Sequence, residues 1–220
     1  MKILIISPHP DDETLGCGGT LFRHRIENDE LYWAIATGVS EKYGWSRDDV
    51  KRRDVEIKSV TERYGFKDVF RFDFPTTRLD TISISDFIKK VADIYIIIEP
   101  EIIYMPFPYD THTDHQLVAK AMNSTFKWFR YPYITKVLMY ETPSETEFNF
   151  IEKRMFCPNV FIDIESFLDE KVETMKIYES EMGEFPFPRN EKIMRALASL
   201  RGSQSGFKAA EAFEMVYERR

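Results

Sequence analysis

Short apolar runs rich in β-branched residues alternate with helical stretches along the first two thirds of this 220-residue chain, and that order leaves few folds open. Residues 3–6, 31–37, 69–72 and 102–105 read as strands, and residues 15–26, 47–64, 84–98 and 116–128 read as helices. Gly65 supplies a left-handed cap for the second helix, and Pro100 closes the third before the fourth strand begins. A strand that returns through a helix to another strand lies parallel to the first, so the sheet is mostly parallel and has helices on both faces. The expected class is therefore α/β, a Rossmann-like three-layer sandwich. Beyond residue 130 the order loosens. Residues 136–140 and 160–164 read as strands and 166–181 and 191–200 as helices, while 211–216 fits either strand or helix. No repeat, low-complexity tract or linker interrupts the chain, which predicts a single domain over residues 1–220.

Three of the four histidines sit in acid-flanked clusters, His9-Pro10-Asp11-Asp12 and His112-Thr113-Asp114-His115, and each cluster follows a predicted strand. In an open α/β sheet, ligands bind outside the carboxyl ends of the strands, so both clusters belong to the same edge. Imidazole nitrogens mixed with hard carboxylate oxygens suit Zn²⁺ or another divalent transition metal. A catalytic zinc uses three protein ligands and keeps one position open for water. The two clusters offer more groups than that, so some are left to serve as base or acid. The competing reading makes each cluster a turn whose Asp caps the following helix. Two such clusters after two separate strands favour a shared site, and capping and catalysis are compatible. His24 lies within a helical pattern, has no acidic partner at ligand spacing, and reads as a helix residue.

Several function classes are disfavoured. A net charge of −7 opposes binding to nucleic acid, and the basic run Lys51-Arg52-Arg53 is surrounded by Asp48, Asp49, Asp54 and Glu56. The longest apolar stretches are too short to cross a bilayer, and the start of the chain has no secretory pattern, which predicts a cytoplasmic protein. Two cysteines, Cys17 and Cys157, make no disulfide framework, and Cys17 reads as a packing residue rather than a nucleophile. Gly16-Cys17-Gly18-Gly19 suggests dinucleotide binding, but Leu21 stands where the third glycine belongs and the second strand ends without an acidic residue. Trp45, Tyr109, Phe185 and Phe187 fall in loops where a ring could stack on a sugar, although packing is the commoner use of such rings. The stiff segment from Glu184 to Arg189 either shapes a pocket or meets another subunit, and a homo-oligomer stays open.

The residues also carry a family resemblance. Ser7-Pro8-His9-Pro10-Asp11-Asp12-Glu13-Thr14-Leu15-Gly16-Cys17-Gly18-Gly19 resembles the first signature of the PIG-L or LmbE-like de-N-acetylases, and His112-Thr113-Asp114-His115 resembles the second. Arg53-Asp54-Val55-Glu56 through Tyr64-Gly65-Phe66 is similar to the helix between them, and Ala210-Glu211-Ala212-Phe213 to the C-terminal segment. Thr113 stands where proline is common, a change in loop stiffness more than in chemistry. The resemblance implies an LmbE-like fold and a zinc-dependent hydrolase that removes the N-acetyl group from a small amino sugar or its conjugate. It further implies that His9, Asp12 and His115 bind the metal, that Asp11 is the general base, and that His112 stabilises an oxyanion or acts as general acid. Asp114 would orient and charge one of the two imidazoles, and Arg53 would bind substrate. Read from its surroundings alone, Arg53 fits a surface position on a charged helix equally well. A protein of this fold that binds metal and carbohydrate without turnover is the alternative.

Overall fold

The computed structural model describes residues 1–151 and 154–220. Among the described residues seven strands form one sheet: β1 (Lys2–Ser7), β2 (Glu30–Gly38), β3 (Asp68–Pro75), β4 (Ile102–Pro106), β5 (Lys136–Tyr140), β6 (Val160–Asp163) and β7 (Ala210–Glu218). Their order is β3-β2-β1-β4-β5-β7-β6. The first five pair in parallel, and β7 runs antiparallel between β5 and β6. The expected mostly parallel sheet is therefore present, with antiparallel pairing confined to one edge. Residues 211–216, open in the sequence, belong to β7.

Both faces of the sheet are covered, which explains why its central strands are apolar without alternation. The side chains nevertheless divide by parity. Ile3 and Ile5 pack with α1 (Asp12–Ile26), α2 (Arg47–Tyr64) and α5 (Leu168–Met175), whereas Leu4 and Ile6 pack with α3 (Ile84–Ile98) and α4 (Thr113–Asn123). All four are fully buried, each contributing about 1.5–3 kcal/mol from burial. A final helix, α6 (Glu191–Ser205), lies against β7 and is capped by the Asn190 side chain.

Four helices differ from expectation in their bounds, α6 by running on to Ser205 rather than ending at residue 200. α1 begins at Asp12 rather than residue 15, because the peptide oxygen of Asp11 already accepts from Thr14 and Leu15. α4 runs 113–123 rather than 116–128, since the Thr125 hydroxyl takes the Met122 carbonyl and the next turn holds exposed Trp128 and Phe129. The expected helix over 166–181 is shortened to α5 between two 3-10 turns, as Tyr178 leaves the helical path to place its hydroxyl on Glu13.

Two details fix α1 against the sheet. Gly16 lies so close to Tyr140 that a Cβ there would sit 2.4 Å from its ring, and a Cβ at Gly19 would meet Ile164 at 2.6 Å. Buried Glu211 of β7 accepts from the Gly19 and Thr20 peptides and pairs with Lys171 of α5, whose ammonium also donates to the Leu15 carbonyl. The chain leaves β1 for one face and β4 for the other, so the crevice of the sheet opens between those neighbouring strands.

Candidate active site

The two histidine clusters meet at this crevice. His9 follows β1, Asp11 is the N-cap of α1, and Asp12 is its first residue. Asp11 has φ 142° and ψ −31°, a conformation that residues other than glycine rarely adopt and that costs on the order of 1–3 kcal/mol. Its neighbours hold it there: the Asp11 N–H donates to Glu13 Oε2 at 3.0 Å, and its carbonyl receives two helix peptides. The turn brings the His9 N–H to Asp12 Oδ2 at 2.8 Å. In the second cluster the cap is His112 and not the acid. His112 Nδ1 accepts from the Asp114 N–H at 3.1 Å, so a neutral His112 carries its proton on Nε2.

One oxygen of Asp12 lies 3.4 Å from both His9 Nδ1 and His115 Nε2. Donor atoms of these three residues fall within 4.8 Å of one another, two nitrogens and one carboxylate oxygen of the kind zinc takes. The opposite nitrogen of each ring is held by an acid. His115 Nδ1 lies 2.8 Å from Asp110 and His9 Nε2 lies 3.1 Å from Asp114. Carboxylates in this position fix the ring orientation and raise the basicity of a metal-binding imidazole. Asp110 is itself fixed by the Thr146 hydroxyl, and Asp114 by the Thr77 and Leu79 peptides. His9, His112 and Asp114 form a second group of comparable spacing, but Asp114 already accepts from two backbone N–H groups.

Electrostatics separate the neighbouring acids. Burial pushes the Asp12 carboxyl up, but His115 and His9 outweigh it and hold the group far below the usual carboxylate range. Burial likewise opposes protonation of His9, yet hydrogen bonds to Asp114 and Asp12 raise it to about 9. His115 is raised as well, by Asp12 and Asp110 against burial. A divalent cation received by these residues would displace those protons. Asp11 moves the opposite way to Asp12: burial, then the charges of Asp12 and Glu181, raise it well above the ordinary value, partly offset by Arg189. His112 is pushed down to about 4 by burial and by the other two imidazoles.

His9, Asp11, Asp12, His112 and His115 border a cleft of about 220 Å³ with Glu181 and Arg189. Arg53 lines it, with Nη1 3.1 Å from the Pro10 carbonyl and Nη2 2.5 Å from Glu181, so the charged helix carries it to the site rather than to open solvent. Trp45 also lines the cleft, whereas Tyr109 borders a separate groove with Met105 and Phe126. Phe187 lies beneath the Arg189 guanidinium, 5.6 Å from ring centre to carbon. Sequence reasoning missed Asp110, Glu145, Glu181 and Arg189. Asp110 stands five residues before His115 and offered a faint signal, Glu181 falls at the end of the expected helix, and Glu145 and Arg189 come from loops without a motif, Arg189 ending the segment left open between a pocket wall and a subunit contact. His24 requires a correction: its Nδ1 lies 2.7 Å from Asp29 and its Nε2 3.0 Å from the Tyr104 hydroxyl. The acid lies beyond the helix end, where the turn folds it back.

Comparison with known proteins adds a second line of evidence. The PIG-L family model, described as GlcNAc-PI de-N-acetylase, matches residues 4–126. Diacetylchitobiose deacetylase of Thermococcus kodakarensis is 25% identical over 227 residues, covering 98% of this chain and 83% of that protein. The structure of N,N'-diacetylchitobiose deacetylase from Pyrococcus horikoshii, complexed with its inhibitor MPG, matches with a TM-score of 0.78 and 20% identity, covering 98% of this chain and 84% of that one. GalB of Pseudomonas putida KT2440, a 4-carboxy-2-hydroxymuconate hydratase, matches with a TM-score of 0.73 and 19% identity over 100% of this chain and 97% of that one. At these identities the structural likeness is one of fold, and the fold serves both a deacetylase and a hydratase. The chemistry has to be argued from the site.

Proposed function

Because the chain belongs to the PIG-L family, we propose that it is a metal-dependent carbohydrate N-deacetylase, an amide hydrolase that releases acetate and a free amine from a small N-acetylated sugar or sugar conjugate. The observation that carries this reading is the convergence of His9, Asp12 and His115 on one point of the cleft, with Asp11 and His112 beside them. His9, Asp12 and His115 are the residues that would hold the metal. Zinc, or another divalent transition metal, supplies Lewis acidity there and lowers the pKa of water to about 7.

The protein groups divide the remaining work. Asp11, raised by burial beside a second carboxylate, takes the proton of the water that attacks the amide carbonyl. His112 is neutral near pH 7 and presents its Nε2 proton, which suits it to hydrogen-bond the developing oxyanion. Protonation of the departing nitrogen is completed by Asp11, which carries the proton it removed. Asp114 orients His9, and Asp110 does the same for His115. Arg53 forms part of the wall that receives the sugar. A small cleft and a net charge of −7 fit a small-molecule substrate better than nucleic acid, and no described helix is long and apolar enough to cross a membrane.

The test is acetate release, matched mole for mole by free amine, from a panel including N-acetylglucosamine, diacetylchitobiose and N-acetylated sugar phosphates. Release from at least one member is expected. Tight sugar binding with no acetate from any of them would support the rival, a metal- and carbohydrate-binding protein without turnover.

A further inference from the structure

Three arginines border the cleft: Arg71 is paired with Asp54 and Asp73, and the other two differ in how far their hydrogen-bonding capacity is used. Arg53 is committed: it donates to the Pro10 carbonyl and to Glu181, and Glu56 lies 3.3 Å from its Nη1. Arg189 is not. Its Nη1 makes one long contact, 3.3 Å to Asp11 Oδ2, its Nη2 stands 3.6 Å from Glu181, and its buried Nε has no hydrogen-bond partner. Denying water to an N–H without giving it an acceptor is costly, and a guanidinium left in this condition beside the candidate base has donors to offer a ligand.

The loop that carries Arg189 is built to hold it in place. The Gly183 N–H donates to the Arg189 carbonyl at 3.0 Å, and the next residue, Asn190, caps α6. Phe187 packs against Gly183 so closely that a Cβ there would sit 2.5 Å from its ring, and the same Phe187 supports the guanidinium. Glu181 bridges the two arginines at the base of the loop, so Arg189 is placed relative to Arg53 and Asp11 together.

We infer that Arg189 is a specificity-determining residue that donates to an oxygen of the substrate, a sugar hydroxyl or an anionic substituent, next to the amide to be cleaved. The inference rests on the deacetylase reading for the identity of the ligand. Its geometry is independent of the metal.

The test compares wild type, Arg189→Met and Arg189→Lys, each loaded with zinc. The probes are glucosamine and glucosamine 6-phosphate, whose binding is measured by calorimetry, and their N-acetylated forms, whose turnover is followed. Arg189→Met should weaken amine binding and raise KM by about tenfold or more, with kcat within about threefold and zinc content unchanged. Arg189→Lys, which keeps the charge without the planar fork, should fall between. A larger loss for the phosphate assigns an anionic group, and an equal loss assigns a hydroxyl. Unchanged Kd and KM in either folded variant would overturn the inference, as would a fall in kcat alone, which would make Arg189 only a partner of Asp11. Failure of wild type to bind either amine overturns it too. Wild type that binds the amines but releases no acetate removes the deacetylase reading, and the change in affinity still decides the role of Arg189.

Discussion

Asp11 and Asp12 are adjacent, both buried, and electrostatically opposed. Asp12 faces two imidazoles that keep it ionised, while Asp11 projects from a strained backbone toward Glu181 and Arg189 and holds its proton more tightly. On the proposed reading, the same residue type serves as a ligand at one position and a base at the next because its neighbours differ. Asp11→Ala should lower turnover by about 10²–10⁴-fold and leave bound zinc unchanged, as measured by kinetics and elemental analysis on one preparation. Asp12→Ala or His115→Ala should lose zinc; full zinc in either would remove it from the ligand set. His9 supplies a pH test. Its proton, held up to about pH 9, must leave when a metal binds, so zinc affinity should climb by about tenfold per pH unit for each displaced proton between pH 7 and 9. In the metal-free protein the sign for stability is the reverse: protonated His9 contributes fully below its unfolded value of 6.5, and the contribution is lost as pH rises through about 9. Competition titrations that give a flat affinity over that range would contradict the assignment. The donor types were readable in the sequence because chemistry limits them to a few residues. Asp110 and Arg189 were not, since each reaches the site through a loop whose course no local pattern records.

At the scale of elements, the motif glycines and the C-terminal segment serve one joint. Gly16 and Gly19 let α1 approach Tyr140 and Ile164, and Glu211 ties the same turn of α1 to β7 and to Lys171 of α5. This joint holds the helix whose first residue is Asp12. Glu211→Ala would leave the Lys171 ammonium buried and unpaired, and urea unfolding should record a loss of about 3–5 kcal/mol. A loss under about 1 kcal/mol would show that water or another group replaces the carboxylate. Periodicity made the strands and the long helices legible because burial on two faces imposes it. It missed the break at Tyr178, where a tertiary hydrogen bond to Glu13 overrides a strong helical pattern, and it left residues 211–216 undecided because their antiparallel pairing with β5 and β6 is a long-range property.

For the whole molecule, the order β3-β2-β1-β4-β5-β7-β6 places the ends of β1 and β4 side by side, and two clusters a hundred residues apart in sequence become one site. The sheet class followed from the alternation of elements, and the location of the site from the rule that ligands bind at the carboxyl edge. Fold alone does not name the reaction, as a hydratase of the same architecture makes plain. The most direct test of the account is to strip the purified protein of metal and follow acetate release from an N-acetylated sugar as zinc is returned in measured equivalents. Activity absent at the start and rising to a plateau near one zinc per chain is the predicted result. Stripped protein that keeps its full rate would contradict it.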